Sequence, residues 1–244
     1  MLQISNLKKH FGGIKAVNNV SFEIQENKIT ALIGPNGSGK TTVFNLISGI
    51  LKADSGRIIF NKEEITNKKV NEISNLGVSR LFQQARLFNN LTVKENLLLA
   101  INNEDTKFWK NLINYKFTDE DYKKINKIAE VVGIESFMNK QAGDLSFGQK
   151  RLVEIARAII NPHKLLILDE PVAGVNPKLR KEILLLLKKL KEKGEAILLI
   201  EHDMNFTLNI ADNVIVMDEG KVIAEGNPKQ IKNNKNVLEA YLGE

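Results

Sequence analysis

The chain has 244 residues, 43% of them hydrophobic, a formal net charge of +6 and no cysteine, which is enough apolar sequence for one large domain or two small ones and argues against disorder. Disulfides and thiolate metal sites are excluded, and the longest aliphatic runs, residues 183–187 and 196–200, fall far short of the roughly 18 apolar residues needed to span a bilayer. The lysines that make the chain basic are spread along it, and Lys188, Lys189, Lys191 and Lys193 sit on the back of an amphipathic helix, so a solvated face is expected and nucleic acid is not.

The opening MLQISNLKKH has no apolar segment behind a basic start, so no secretory signal is read and a cytosolic location is expected. LQISNL and VNNVSFEI read as strands, the second from Val17, Val20, Phe22 and Ile24, and KITALIG runs as a third into a glycine-rich turn. A helix over residues 39–50, a short strand RIIF and a strand VSRLFQQ follow. At Thr92 the character changes: TVKENLLLA carries Glu95 three residues after a capping threonine, and charged helical sequence continues from there. Residues 92–158 therefore read as an inserted helical subdomain within a core made of 1–91 and 159–244. That core resumes with LLILDE, a helix over 177–193, the strand EAILLIE, a helix after Asp203 and the strand pair NVIVMDEG and KVIAEG. Nearly continuous Leu/Ile/Val strands between helices imply a parallel sheet covered on both faces, an α/β fold.

GPNGSGKT, residues 34–41, fits G-x-x-x-x-G-K-[ST] and lies between an apolar strand and a helix. Gly34, Gly37 and Gly39 allow a curl in which the N–H groups of Pro35's successors, Asn36 to Thr42, turn toward phosphate oxygens, while the helix N-terminus adds its positive dipole end. Ser38 belongs to the same loop. Lys40 is expected to reach the β- and γ-phosphates, and the Thr41 hydroxyl to bind Mg²⁺. LLILDE, residues 165–170, puts two carboxylates at the C-terminal end of an apolar strand, where open α/β sheets bind ligands. Asp169 is the candidate magnesium ligand and Glu170 the candidate general base.

Those two motifs also suit a small kinase, a GTPase or a helicase. The stretch LSFGQKRLVEIARAII decides the class, because Leu145 to Gln149 resembles the LSGGQ signature of ABC ATPases. The resemblance implies a P-loop fold with an N-terminal antiparallel β subdomain and a helical insert, and it implies that Ser146, Gly148 and Gln149 cap the γ-phosphate of ATP held by a second ABC ATPase subunit. It also implies that Gln83 senses the magnesium site, that His202 contacts the γ-phosphate, and that Phe11 stacks on adenine; Gln84, His10 and His163 are read as structural.

Three positions depart from the pattern: Phe147 replaces the first signature glycine, with bulk that bears on how closely the partner's nucleotide is approached. Asn176 stands where aspartate is usual, which removes a charge and keeps hydrogen-bonding ability. Trp109 is read as packing within the helical insert. LFQQARLFNNLTVKENLLLA, AGVNP and the ending GNPKQIKNNKNVLEAYLGE resemble the ATP-binding subunits of branched-chain amino-acid importers. The implied partners are integral-membrane permease subunits and an extracytoplasmic substrate-binding protein, with this chain peripheral on the inner face of the cell membrane. The alternatives are the ATPase of a lipopolysaccharide exporter, a non-transport ABC ATPase acting on ribosomes or DNA, and a nucleotide-regulated binding protein without turnover.

Overall fold

The computed structural model describes residues 1–81, 87–101, 117–201 and 203–242. The N-terminal strands β1 (Leu2–Phe11) and β2 (Ile14–Ile24) form a hairpin that continues through β4 (Ser55–Phe60) to the short β5 (Glu63–Glu64), all antiparallel. Alternation sets its inner face, with Leu2, Ile4, Val20, Phe22 and Ile24 buried between exposed neighbours.

The third N-terminal strand, β3 (Ile29–Ile33), belongs to a second sheet of order β10-β9-β3-β8-β7-β6. Its other members are β6 (Val78–Leu81), β7 (Leu165–Asp169), β8 (Ala196–Ile200), β9 (Asn213–Asp218) and β10 (Lys221–Gly226). Every residue of β3, β7 and β8 is buried. That requires cover on both faces, and it explains why these strands read as continuous apolar runs. In β3, Leu32 enters a core shared with the four-stranded sheet, while Ala31 and Ile33 face Val214, Val216, Ile231 and Val237 on the other side. Pairing of β3 with β8 and β9, and of β7 with β8, is parallel. The expectation of a parallel sheet is modified at one edge, where β10 runs antiparallel to β9. A two-residue turn reverses the chain there, with Glu219 and Gly220 at φ 43° and 76°, the mirror-image turn that matches strand twist.

Helix α1 (Lys40–Ile47) follows β3 and buries Val43, Phe44, Leu46 and Ile47 in the shared core. It stops three residues short of the expected end because Ser48 turns its hydroxyl onto the Phe44 carbonyl and Gly49 takes φ 74°. The short α2 (Val70–Asn75) comes before β6.

By internal packing the chain divides into two units, Met1–Arg80 with His163–Glu170 and Leu187–Glu244, and Leu81–Pro162 with Pro171–Leu186. In the second, α3 (Val93–Ile101), α4 (Asp119–Val132) and α5 (Phe147–Ile159) pack together around Val93, Leu97, Ile125, Ala129, Val153 and Ala156. The capping box expected at Thr92 is present: its N–H and hydroxyl both donate to Glu95 Oε2 at 2.7 Å, and the Glu95 N–H returns to the hydroxyl at 3.1 Å. Thr118 and Asp121 make the same box at α4, whose first turn holds three carboxylates suited to a helix N-terminus. Helix α6 (Pro177–Glu192) precedes β8 and α7 (Met204–Ile210) follows it, capped by Asp203. The last helices are α8 (Pro228–Lys232) and α9 (Lys235–Leu242). No helix among the described residues is long and apolar enough to cross a membrane.

Candidate functional site

The three central parallel strands bring the first group of expected residues to one edge. Leu32 of β3 pairs with Ile200 of β8, and Ile200 pairs with Asp169 of β7. The glycine loop after β3 and the carboxylates ending β7 therefore leave the sheet at the same level, on the C-terminal edge where such sheets take ligands.

The loop is held by its own lysine: Lys40 Nζ donates to the carbonyls of Gly34 and Pro35, each at 2.7 Å, and to Ser38 Oγ at 3.2 Å, and only 4% of Lys40 is exposed. Two glycines are needed for this curl. A Cβ at Gly34 would lie 2.0 Å from the Met217 carbonyl oxygen, and one at Gly39, where φ is 101°, would lie 2.2 Å from that of Ala16. Asn36, Gly37 and Thr41 are exposed, while Pro35 and Ser38 are buried and Gly39 and Thr42 are partly so. The loop thus presents one accessible face directly ahead of a helix N-terminus.

Asp169 is 3% exposed, and Glu170 is partly buried. Glu170 takes φ 49° while its N–H donates to Ile200 O at 2.9 Å. A left-handed glutamate at a strand end is backbone strain of the kind stored at functional positions, and nothing in the local sequence announced it. Glu201, the residue after β8 on the same edge, is also only 3% exposed, a buried carboxylate outside the motifs named above.

Phe11 closes β1 and is 46% exposed, so it lies outside the core. The ammonium of Lys9 stands over its ring, 5.5 Å from the centroid. His163, read as structural, has its Nε2 2.8 Å from Glu195 Oε2; the N–H of His10 donates to Asp54.

Ser146, Gly148 and Gln149 belong to the second unit. Ser146 caps α5, accepting from Gln149 N–H at 3.3 Å, and Gln149 Oε1 accepts from Ser146 N–H at 3.0 Å. Gly148 leaves room for Leu179, whose Cδ2 would be 2.3 Å from an added Cβ. Phe147 is 59% exposed and its ring edge lies against Gly174, where φ is 69°. Asn176 caps α6 by accepting from Leu179 N–H at 2.9 Å, so the hydrogen-bonding ability that distinguishes it from an apolar residue is used locally. Arg151, buried on α5, donates from Nε to the carbonyl of Pro171, the residue after Glu170, and pairs with Glu154 at 3.1 Å. Gln83 and His202 lie outside the described residues, as do Gln84 and Trp109.

Arg80 belongs to none of the sequence motifs. Its guanidinium donates to Ser48 Oγ and to Asn45 Oδ1, the latter at 2.8 Å, and covers the Phe44 ring at 3.9 Å. It ties the end of β6 to the far end of the helix that begins in the glycine loop. An arginine in a strand of four residues, VSRL, was the only local sign.

A glycine loop closing on its lysine between a parallel strand and a helix, with an acidic strand end two strands away, defines a P-loop nucleotide-binding fold. A family model described as "ABC transporter" matches residues 17–173, and one described as "Branched-chain amino acid ATP-binding cassette transporter" matches residues 221–244. The chain belongs to the ABC transporter family as an ATP-binding subunit that hydrolyses ATP. It is 42% identical over 245 residues to the probable branched-chain amino acid transport ATP-binding protein LivG of Archaeoglobus fulgidus, covering 100% of this chain and 95% of that protein. Among solved structures it resembles a nucleotide-free ATP-binding cassette from an ABC transporter, with TM-score 0.90, 40% identity and coverage of 100% and 99% of the two chains. It also resembles a dimeric post-hydrolysis cassette bound to ADP and phosphate, with TM-score 0.78, 28% identity and coverage of 93% and 99%.

Proposed function

We propose that this chain powers branched-chain amino-acid import, as one of two ATPase subunits on the cytoplasmic face of a membrane permease served by an extracytoplasmic binding protein. The observation that carries the reading is the C-terminal match over residues 221–244 to the branched-chain transport model, supported by the full-length likeness to a LivG protein.

In this reading a nucleotide's phosphates enter the loop and Lys40 exchanges the Gly34 and Pro35 carbonyls for β- and γ-phosphate oxygens. The N–H groups from Asn36 to Thr42 supply the rest of the cradle, and Phe11 receives the adenine ring on its exposed surface. Glu170 takes the proton of the attacking water, and its strained backbone fixes where the carboxylate points. Gln83 and His202 complete the site on the family resemblance alone. The donors Thr41 Oγ1 and Asp169 are hard oxygens at the loop and strand ends, which fits Mg²⁺. Bound there, the ion would neutralise charge on the β- and γ-phosphates.

The second unit carries the signature, and Ser146, Gly148 and Gln149 serve the nucleotide of a partner ATPase subunit. The dimeric cassette holding ADP and phosphate supports this pairing. The helical insert, residues 92–158, is the part that receives the permease. Closure on ATP and reopening after hydrolysis form a two-state cycle whose bias comes from the nucleotide.

The test is reconstitution in lipid with permeases and a binding protein, measuring uptake of a branched-chain amino acid with ATP inside. Uptake that disappears in Glu170→Gln, while that variant retains ATP in a dimer on sedimentation, is the expected result. Outward movement of a glycolipid would replace the importer reading with the exporter one, and ATPase coupling to ribosomes without any membrane protein would remove transport altogether.

A further inference from the structure

The ladder between β1 and β4 ends at Lys8, which pairs with Ser55. Beyond that point β1 still has to deliver Lys9, His10 and Phe11 to the hairpin tip without a β4 partner. Asp54, in the loop after α1, continues the ladder with its side chain. Its N–H donates to Lys8 O at 3.0 Å, its Oδ1 accepts from Lys9 Nζ at 2.8 Å and its Oδ2 accepts from the His10 N–H at 2.6 Å.

The ammonium so held stands over Phe11, while Phe11 pairs with Ile14 across the turn. A half-exposed phenylalanine has several accessible rotamers, and ordering it costs entropy when a base stacks. A cation anchored over one face of the ring selects among those rotamers before any ligand arrives and leaves the opposite face for a base. Lys9 is itself well covered, with 17% of its side chain exposed, so its position is defined. The Asp54 carboxyl is held below the usual carboxylate range, chiefly by the Lys9 hydrogen bond and then by the His10 N–H, so the clasp is an ion pair at neutral pH.

We propose that Asp54 is a positioning residue for base selection: through Lys9 and the His10 N–H it holds the Phe11 ring as a one-sided platform for adenine. This rests on the stacking role given to Phe11 above. It separates binding of the base from binding of the phosphates, because Lys40 and the glycine loop take no part in it.

The experiment is calorimetric binding of ATP and of inorganic tripolyphosphate to the full chain and to Asp54→Asn, Lys9→Met, Asp54→Glu and Phe11→Ala. Asp54→Asn and Lys9→Met are expected to weaken ATP by about threefold to tenfold and to leave tripolyphosphate unchanged. Asp54→Glu should recover much of the loss, and Asp54→Asn should add nothing in a Phe11→Ala background. Equal weakening of both ligands would reduce Asp54 to a structural brace and overturn the inference, as would unchanged ATP binding in Asp54→Asn and Lys9→Met. If Phe11→Ala leaves the ratio of the two affinities untouched, the stacking role itself fails and the inference falls with it. If Phe11→Ala changes the ratio and Asp54→Asn does not, only the inference falls. A thermal midpoint for each variant, expected close to that of the unmodified protein because Asp54 is exposed, keeps misfolding from imitating either result.

Discussion

Glu170 should hold its candidate catalytic position at a measurable cost to stability. Its φ of 49° places a residue with a Cβ in the left-handed region, while its N–H stays bonded to Ile200 O at 2.9 Å. That conformation costs roughly 1–2 kcal/mol for a residue other than Gly, Asn or Asp. Comparing Glu170→Ala with Glu170→Gly isolates the term, since both delete the carboxylate and both keep the backbone hydrogen bond. Glycine relieves the strain but gives back roughly 0.4–1 kcal/mol through the freer unfolded chain. The difference of the two ranges leaves the glycine variant the more stable by about 0–1.6 kcal/mol, centred on roughly 0.8, a urea midpoint higher by about 0.3 M for a chain of this size. Hydrolysis should fall in both, by about 10²–10⁴-fold if the carboxylate is the base. Parallel urea titrations, read by circular dichroism, and a phosphate-release assay measure the two effects. A glycine variant less stable than the alanine variant by the full unfolded-chain entropy, roughly 0.4–1 kcal/mol, would show that the site stores no strain, and wild-type turnover in either would remove Glu170 from the chemistry.

Two further expectations concern the second unit. Gly174→Ala should destabilise by about 1–2 kcal/mol because φ is 69° and the new Cβ would lie 3.2 Å from Phe147 Cε1; adding Phe147→Ala should return at least about 0.5 kcal/mol, and strict additivity in chemical unfolding would refute the contact. The Glu95 carboxyl is held below its ordinary value of 4.5 by the Thr92 N–H first and the hydroxyl second. A folded value below the unfolded one means the cap's stabilisation is complete above the unfolded value and is lost as pH falls through the folded one. Because Glu95 is largely exposed, Glu95→Gln should cost only about 0.5 kcal/mol near neutrality after solvent screening. Unfolding curves at falling pH should show that difference closing, and a difference independent of pH would contradict it.

How much of this was legible in the sequence follows from how local each determinant is. The glycine loop could be read because the positions needing glycine are adjacent to the lysine and hydroxyls they serve. β3, β7 and β8 could be read because burial on both faces leaves an unbroken apolar run, and the capping box at Thr92 because its partners are three residues apart. What escaped reading is non-local. The assignment of β3 to a sheet other than that of β1 and β2 depends on its pairing with β8 and β9, whose sequences lie about 170 residues further on. Asp54 reaches Lys9 across 45 residues and Arg80 reaches Asn45 across 35, distances over which spacing carries no information. The motif residues fared unevenly for a related reason. Ser146 and Gln149 satisfy a capping box and a signature with the same atoms, so their pattern in the sequence would be identical whether or not a second nucleotide ever met them. Function at that helix N-terminus therefore has to be decided by what binds there. Substitution of Ser146 by Asp would preserve the cap while placing a negative charge at the helix end proposed to meet the partner's phosphate. An intact α5 with lost ATP-dependent pairing would then assign the serine to the partner's phosphate and not only to the helix it begins.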